Sequence, residues 1–191
     1  MRLVFASRPP DATACARWSG APTTSSSDGP SGATVDHYEA PVQLGPGETP
    51  FAAFVRVRDR LLAYDVFPPV VVRATICPDG RITVGATIVQ HVAVGPLALE
   101  AAVRVIEVWD RAGPDGGSAA GFRYVTLRGH PECGVASFEV RATPAGEVRV
   151  LLGARSRPGT WQTRLGRPFA RLLQRTLTRA ALRRLTTAPQ R

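Results

Sequence analysis

Residues 121–158 read GFRYVTLRGHPECGVASFEVRATPAGEVRVLLGARSRP. Three runs of alternating apolar and polar residues, 122–127, 135–142 and 147–156, are separated by GHPECG and TPAG, both rich in turn formers. Directly afterwards, residues 161–185 switch to a helical period. Leu165, Phe169, Leu172, Leu173, Thr176, Leu177 and Ala180 share one face of it, and Arg164, Arg167, Arg171, Arg175 and Arg179 share the other. A strand meander feeding one long terminal helix predicts a sheet closed by that helix. Arg184 returns to the apolar side, so the packed part of the helix is expected to end near residues 180–182.

Toward the N-terminus the same reasoning supplies the rest of the domain. Residues 97–109 form the longest strand candidate, and 70–77 and 81–92 flank Pro78-Asp79-Gly80, a hairpin signal. Thr49-Pro50 reads as an N-cap with proline at the first helical position, where its missing N–H is harmless. Phe51, Phe54, Val55, Leu61 and Leu62 then recur at helical spacing, predicting a helix over 50–64, with a first strand over 34–44. Strand, helix, six strands, helix is the order of an α+β fold with a curved antiparallel sheet of about seven strands. Residues 1–33 lack periodicity and end in a Ser/Gly/Pro-rich stretch, predicting a disordered tail whose removal costs no core. One domain over 34–186 and a short tail over 187–191 complete the expectation for a chain of 191 residues.

All 24 basic residues are arginine, and ten of them lie in residues 155–191, which hold no Asp or Glu. The body carries 14 arginines against 15 acids, so the formal +9 belongs to the C-terminal segment and makes an anionic surface partner conceivable. Cys15, Cys77 and Cys133 are far apart, odd in number and without a CxxC spacing, which argues against a disulfide framework and fits a reducing cytoplasm. The N-terminal apolar run, residues 3–6, is too short for a signal peptide. The most apolar window, residues 84–103, contains Gln90, His91, Pro96 and Glu100 and reads as no membrane span.

The strings Gly121-Phe122-Arg123-Tyr124-Val125-Thr126-Leu127, Gly129-His130-Pro131-Glu132-Cys133-Gly134, Ser156-Arg157-Pro158 and Leu165-Gly166-Arg167-Pro168, with Phe138 and Gln174, stand in a definite order. In that order and spacing the chain resembles the DUF1990 (UPF0548) family of unknown function, over about residues 35–185. The resemblance implies a START-like helix-grip fold, in which a curved sheet wraps a long C-terminal helix, and an internal cavity. It supplies no catalytic residues. Val135 stands where relatives often carry an acid, which weakens any reaction based on paired carboxylates in the GHPE turn.

Four groups are candidates for acid–base work. His130 and Glu132 lie two apart in a turn, where the simpler reading is a hydrogen-bonded loop shaped by Gly129, Pro131 and Gly134. Tyr124 is the third. On strand 97–109 the odd positions read Leu99, Ala101, Val103, Val105, Glu107, Trp109, so Glu107 joins an apolar row, either as a cavity acid or as a strand-end ion pair. Gln90 has the same standing in its own row. A metal site from His130, Cys133, His91 or Cys77 lacks paired ligand spacings, so neither metal nor cofactor is expected. There is no G-x-S-x-G, P-loop or dinucleotide fingerprint.

The expected function is non-catalytic binding of a small apolar or amphipathic ligand between sheet and terminal helix. Trp109, Phe122, Tyr124, Phe138, Phe169 and Leu173 are the candidate lining residues, with Phe51 and Phe54 as further core positions. One alternative is a cyclase- or hydratase-like enzyme using Tyr124, His130, Glu132 or Glu107. Another is a peripheral protein meeting an anionic membrane, or associated with nucleic acid, through the arginine stripe. Of these two partners nucleic acid is the less expected, because Trp161 is the lone aromatic candidate near those arginines.

Overall fold

The computed structural model describes residues 2–5, 8–113, 116–159 and 167–188, with the side chains of residues 2, 5 and 167–174 outside that description. In chain order the elements are β1 (Arg2–Phe5), α1 (Ala12–Ser19), β2 (Thr34–Pro41), α2 (Pro50–Leu62), β3 (Val72–Cys77), β4 (Thr87–Val94), β5 (Leu97–Ala112), β6 (Ser118–Thr126), β7 (Glu132–Ala142), β8 (Val148–Pro158) and α3 (Arg167–Thr186). Strands β2-β8-β7-β6-β5-β4-β3 form one antiparallel sheet, and β1 adds an eighth strand on β5 beyond the end of β6. The sheet is curved, and α2 and α3 close its concave face, which is the START-like helix-grip arrangement.

Local chemistry explains the helices that do the covering. Thr49 Oγ1 accepts the Ala52 N–H at 3.2 Å, and Pro50 opens α2. Ala53, Phe54, Val57 and Leu61 are the buried face of α2, set against Ala120, Phe122, Val140, Val148 and Val150 of the sheet. Phe51, a sequence-predicted core residue, is 68% exposed in the first turn of α2. The packing of helix α3 continues past residues 180–182, where it was expected to end, to Leu185, which is fully buried. Its packed row is Leu177, Ala181 and Leu185, with Thr176 exposed. Arg184 causes no break because its guanidinium reaches Asp65, with Nε at 3.0 Å from Oδ1. Arg60 donates to the Arg184 carbonyl at 2.7 Å, satisfying one of the open carbonyls at the helix C-terminus.

The expected disordered tail is largely structured. Asp11 Oδ1 accepts the Ala14 N–H at 2.9 Å and caps α1, whose Ala14 and Trp18 are buried on the convex face of the sheet against Val89, Ala102 and Leu127. Cys15 and Cys77 are joined by a disulfide across a sequence separation of 62, so the expectation of three free thiols fails and with it the ground given for a reducing cytoplasm. Beneath α1 lies Glu100, 2% exposed, paired with Arg17 and bonded to Trp18 Nε1 at 3.1 Å and His91 Nε2 at 3.2 Å. Burial raises this carboxyl, and the three donors outweigh burial, leaving it below the ordinary 4.5.

Trp18→Ala is therefore expected to cost about 3–5 kcal/mol, the range for emptying a buried aromatic site. For a chain of this size that lowers Tm by roughly 10 °C. Thermal unfolding of the variant decides it; an unchanged Tm would restore the reading of residues 1–33 as a tail without core.

Candidate functional site

The interior of the grip divides in two along the strands. At one end, α2 and an aromatic cluster fill the space. Phe122 and Phe138 stack with ring centroids 5.1 Å apart, Tyr124 lies 5.6 Å from Phe138, and Phe67 and Tyr64 complete the group. At the other end a cavity of about 200 Å³ remains. Its walls come from β4 and β5 (Gln90, Val92, Leu99, Ala101), β6 (Tyr124, Thr126), β7 and β8 (Ala136, Phe138, Leu152, Ala154), Tyr38 of β2, and Leu177 and Ala181 of α3. These positions face inward because the antiparallel register places them on one side: Gln90 opposite Ala101, Tyr124 opposite Ala136, Phe138 opposite Leu152.

The polar residues that line the cavity include Gln90, Tyr124 and Thr126 within it and His130 and Glu132 at its rim. Gln90 Nε2 donates to Tyr64 Oη at 2.5 Å, and the Tyr124 phenol lies beside both. Burial raises Tyr124 to about 12 and Tyr64 well above its ordinary 10. Tyr64 is also the one non-glycine residue with positive φ, at 56°, among the described residues. His130 sits at the rim in the turn before β7. Its Nδ1 is 3.0 Å from both the N–H and the carbonyl of Glu132, so either tautomer finds a backbone partner. Burial lowers this imidazole from 6.5 to about 4. Glu132 is the first residue of β7 and lines the same rim.

Of the sequence candidates, the cavity thus brings together Tyr124, His130, Glu132, Phe138 and Gln90. Phe122 is fully buried in the aromatic cluster rather than in the cavity wall. Two candidates point the other way. The register of β5 on β6 shifts between Val105 and Glu107, and this bulge reverses the alternation, so that Val108 faces Phe122 while Glu107 and Trp109 turn to the convex face. There Glu107 is exposed and pairs with Arg123 at 3.3 Å. The Trp109 ring lies over Gly121, where an added Cβ would come within 2.8 Å of it. Trp109 is no lining residue and Glu107 no cavity acid. The side chains of Phe169, Leu173, Arg164, Arg167 and Arg171 lie outside the described residues, whereas Arg175 and Arg179 are exposed on α3. Leu177 and the Tyr64–Gln90 pair were missed. Leu177 was visible as a member of the apolar stripe, but nothing in the sequence pairs Tyr64 with Gln90.

Among the described residues no group of three His, Cys, Asp or Glu converges as metal ligands would, and no described helix is long and apolar enough to cross a membrane. A family comparison matches residues 19–184 to a domain of unknown function, DUF1990. The chain belongs to the DUF1990 family. No curated protein matches it. Among solved structures, similarity extends to ginseng major latex-like protein 151 from Panax ginseng, at 12% identity and TM-score 0.42, covering 78% of this chain and 98% of that one. It extends also to Ara h 8.0201, at 10% identity and TM-score 0.46, covering 81% and 98%. Residues 2–18 of this DUF1990 protein, which carry β1, Cys15 and Arg17, precede the matched region.

The lowered His130 has a consequence for acid stability. The unfolded chain takes up this proton near 6.5 and the folded chain only near 4, so stability is full above about 6.5 and is lost as pH falls toward 4. Glu100 adds a separate loss below 4.5. In His130→Gln the fall of Tm between pH 6.5 and 4 should be shallower than in the wild type. Parallel profiles would show that His130 is not held neutral.

Proposed function

We propose that this DUF1990 protein binds a small apolar or amphipathic ligand, without turning it over, in the cavity between the sheet and α3. The observation that carries this reading is the cavity of about 200 Å³, walled mainly by apolar and aromatic side chains, with its polar groups gathered at one wall and the rim. Native mass spectrometry of the purified protein should show an added mass that denaturation releases. Ala136→Phe, which fills the cavity, should lose it. Absence of any added mass, both as purified and after incubation with a cell extract, would contradict the proposal.

Acid–base catalysis is the reading that Tyr124, His130 and Glu132 would support, since all three line one cavity. Their protonation argues against it. A general acid or base works best with a pKa near the working pH, whereas His130 is lowered to about 4 and Tyr124 raised to about 12. At neutral pH both are neutral hydrogen-bonding groups rather than proton carriers.

A second reading concerns the outer face of α3. Arg175, Arg179 and Arg183 are exposed there, and none has an ion pair with a described residue. By contrast, Arg149 and Arg141 on the sheet are paired with Glu39, Glu147 and Glu139. An anionic membrane surface fits this stripe. Replacing Arg175 and Arg179 with Gln should leave Tm within about 2 °C, since exposed charges contribute only tenths of a kcal/mol each. If the stripe meets a membrane, sedimentation with anionic vesicles at low salt should weaken by roughly 1 kcal/mol per charge removed. Equal and negligible sedimentation of both proteins would eliminate this reading.

A further inference from the structure

The Cys15–Cys77 disulfide joins two parts of the fold that are otherwise built separately. Cys77 ends β3, whereas Cys15 is the fourth residue of α1 on the convex face. Among the described residues, the main core built on Phe54, Leu61, Phe122 and Phe138 takes nothing from residues 1–33. Ala14 and Trp18 belong instead to a small cluster with Cys77, Val89, Ala102 and Leu127. The DUF1990 match begins at residue 19, at the end of this helix. The grip has its own core without α1, and the disulfide fastens an added segment to it.

That segment is an arch. At one foot β1 pairs with Leu97–Glu100 of β5, and at the other Thr23 bridges to Leu127. Between the feet, the described contacts come from side chains of three strands. Thr75 Oγ1 of β3 donates to the Pro10 carbonyl at 2.7 Å, and His91 Nδ1 of β4 lies 2.9 Å from the Arg8 carbonyl. On β5, Glu100 pairs with Arg17 and accepts Trp18 Nε1 at 3.1 Å, and Arg104 donates to the Ser19 carbonyl at 2.8 Å. A helix of eight residues does not persist alone in water, so its order depends on these contacts and on the cross-link. Lifting the arch returns Arg17 and Glu100 to water together, which leaves neither charge buried alone. Cys77 is 7% exposed, but Cys15 is half-buried beside the exposed Ala16, which opens the bond to a thiol from solvent on the helix side.

We infer that Cys15–Cys77 is a redox-exchangeable fastening, a substrate for a dithiol reductant, and that it sets whether residues 8–19 stay clamped on the convex face. One thiolate of the dithiol attacks the Cys15 sulfur, the S–S bond breaks, and Cys77 leaves as a thiolate that takes up a proton. The second thiol of the reductant then displaces Cys15 from the mixed disulfide. The protein gains two electrons and two protons, and the reductant becomes a disulfide. In the reduced form α1 is held by its noncovalent contacts alone, and its opening bares Val89, Ala102 and Leu127.

Hydrogen exchange of the full chain, read by mass spectrometry at pH 7 with and without dithiothreitol, tests this. Maleimide labelling in denaturant should count one thiol, Cys133, before reduction and all three cysteines after it. Exchange of the α1 amides should rise about tenfold or more on reduction, while α2 and β7 keep their protection. Cys15→Ser should show the faster α1 exchange without reductant, and adding reductant should not change it. Three thiols before reduction, or α1 exchange that reduction leaves unchanged, would overturn the inference. Loss of protection in α2 and β7 together with α1 would overturn it too, by making the bond a structural part of the grip.

Discussion

A concave sheet face exposes apolar side chains along its whole length and has to be covered, and here the cover is shorter than the face. Helix α2 presents four buried residues to the β6-β7-β8 end, where the stacked Phe122 and Phe138 complete a solid core. Among the described side chains, helix α3 faces the remainder with Leu177, Thr178 and Ala181, opposite Ala136 and Ala154. Small side chains on both layers cannot fill the gap between them. The aromatic cluster is therefore a wall, with a packed core on one side and a chamber on the other.

The two faces of the sheet handle polar groups in opposite ways. On the convex face, Glu100 is buried under α1 and its charge is met by Arg17, Trp18 and His91, an arrangement that fixes the position of the N-terminal segment. Losing a partner there would leave a charge uncompensated in the interior, which is expensive. On the concave face the buried Gln90 and Tyr64 are neutral, and the hydrogen bond from Gln90 Nε2 to Tyr64 Oη offsets part of the cost of burying them. The buried ionic cluster and the neutral Gln90–Tyr64 pair are thus separated by the thickness of one sheet.

How much of this was legible in the sequence depended on whether the signal was local. The terminal helix, the N-cap at Thr49 and the meander followed from periodicity and turn residues, and those same patterns placed Tyr124, His130, Glu132 and Phe138 near one another. The extra residue at Ile106 was invisible, because a bulge reverses alternation without altering composition; this turned Glu107 and Trp109 outward. The N-terminal segment did carry a helix signal, Asp11 before Ala14 and Trp18 at i, i+4 spacing, but the turn-rich residues after it masked it. The burial of Glu100 was not legible, since nothing in β5 reveals that α1 covers that face. Cys15 and Cys77 meet only because α1 docks across β3, a contact no spacing rule contains.

A crystal structure of the protein under xenon pressure tests the central claim most directly, because xenon enters apolar cavities and leaves packed cores empty. The division of the interior predicts a xenon site bounded by Tyr124, Ala136, Leu152 and Leu177, with none among Phe54, Leu61 and Val140. An interior without xenon, with Phe138 and Leu177 closed onto each other, would contradict it.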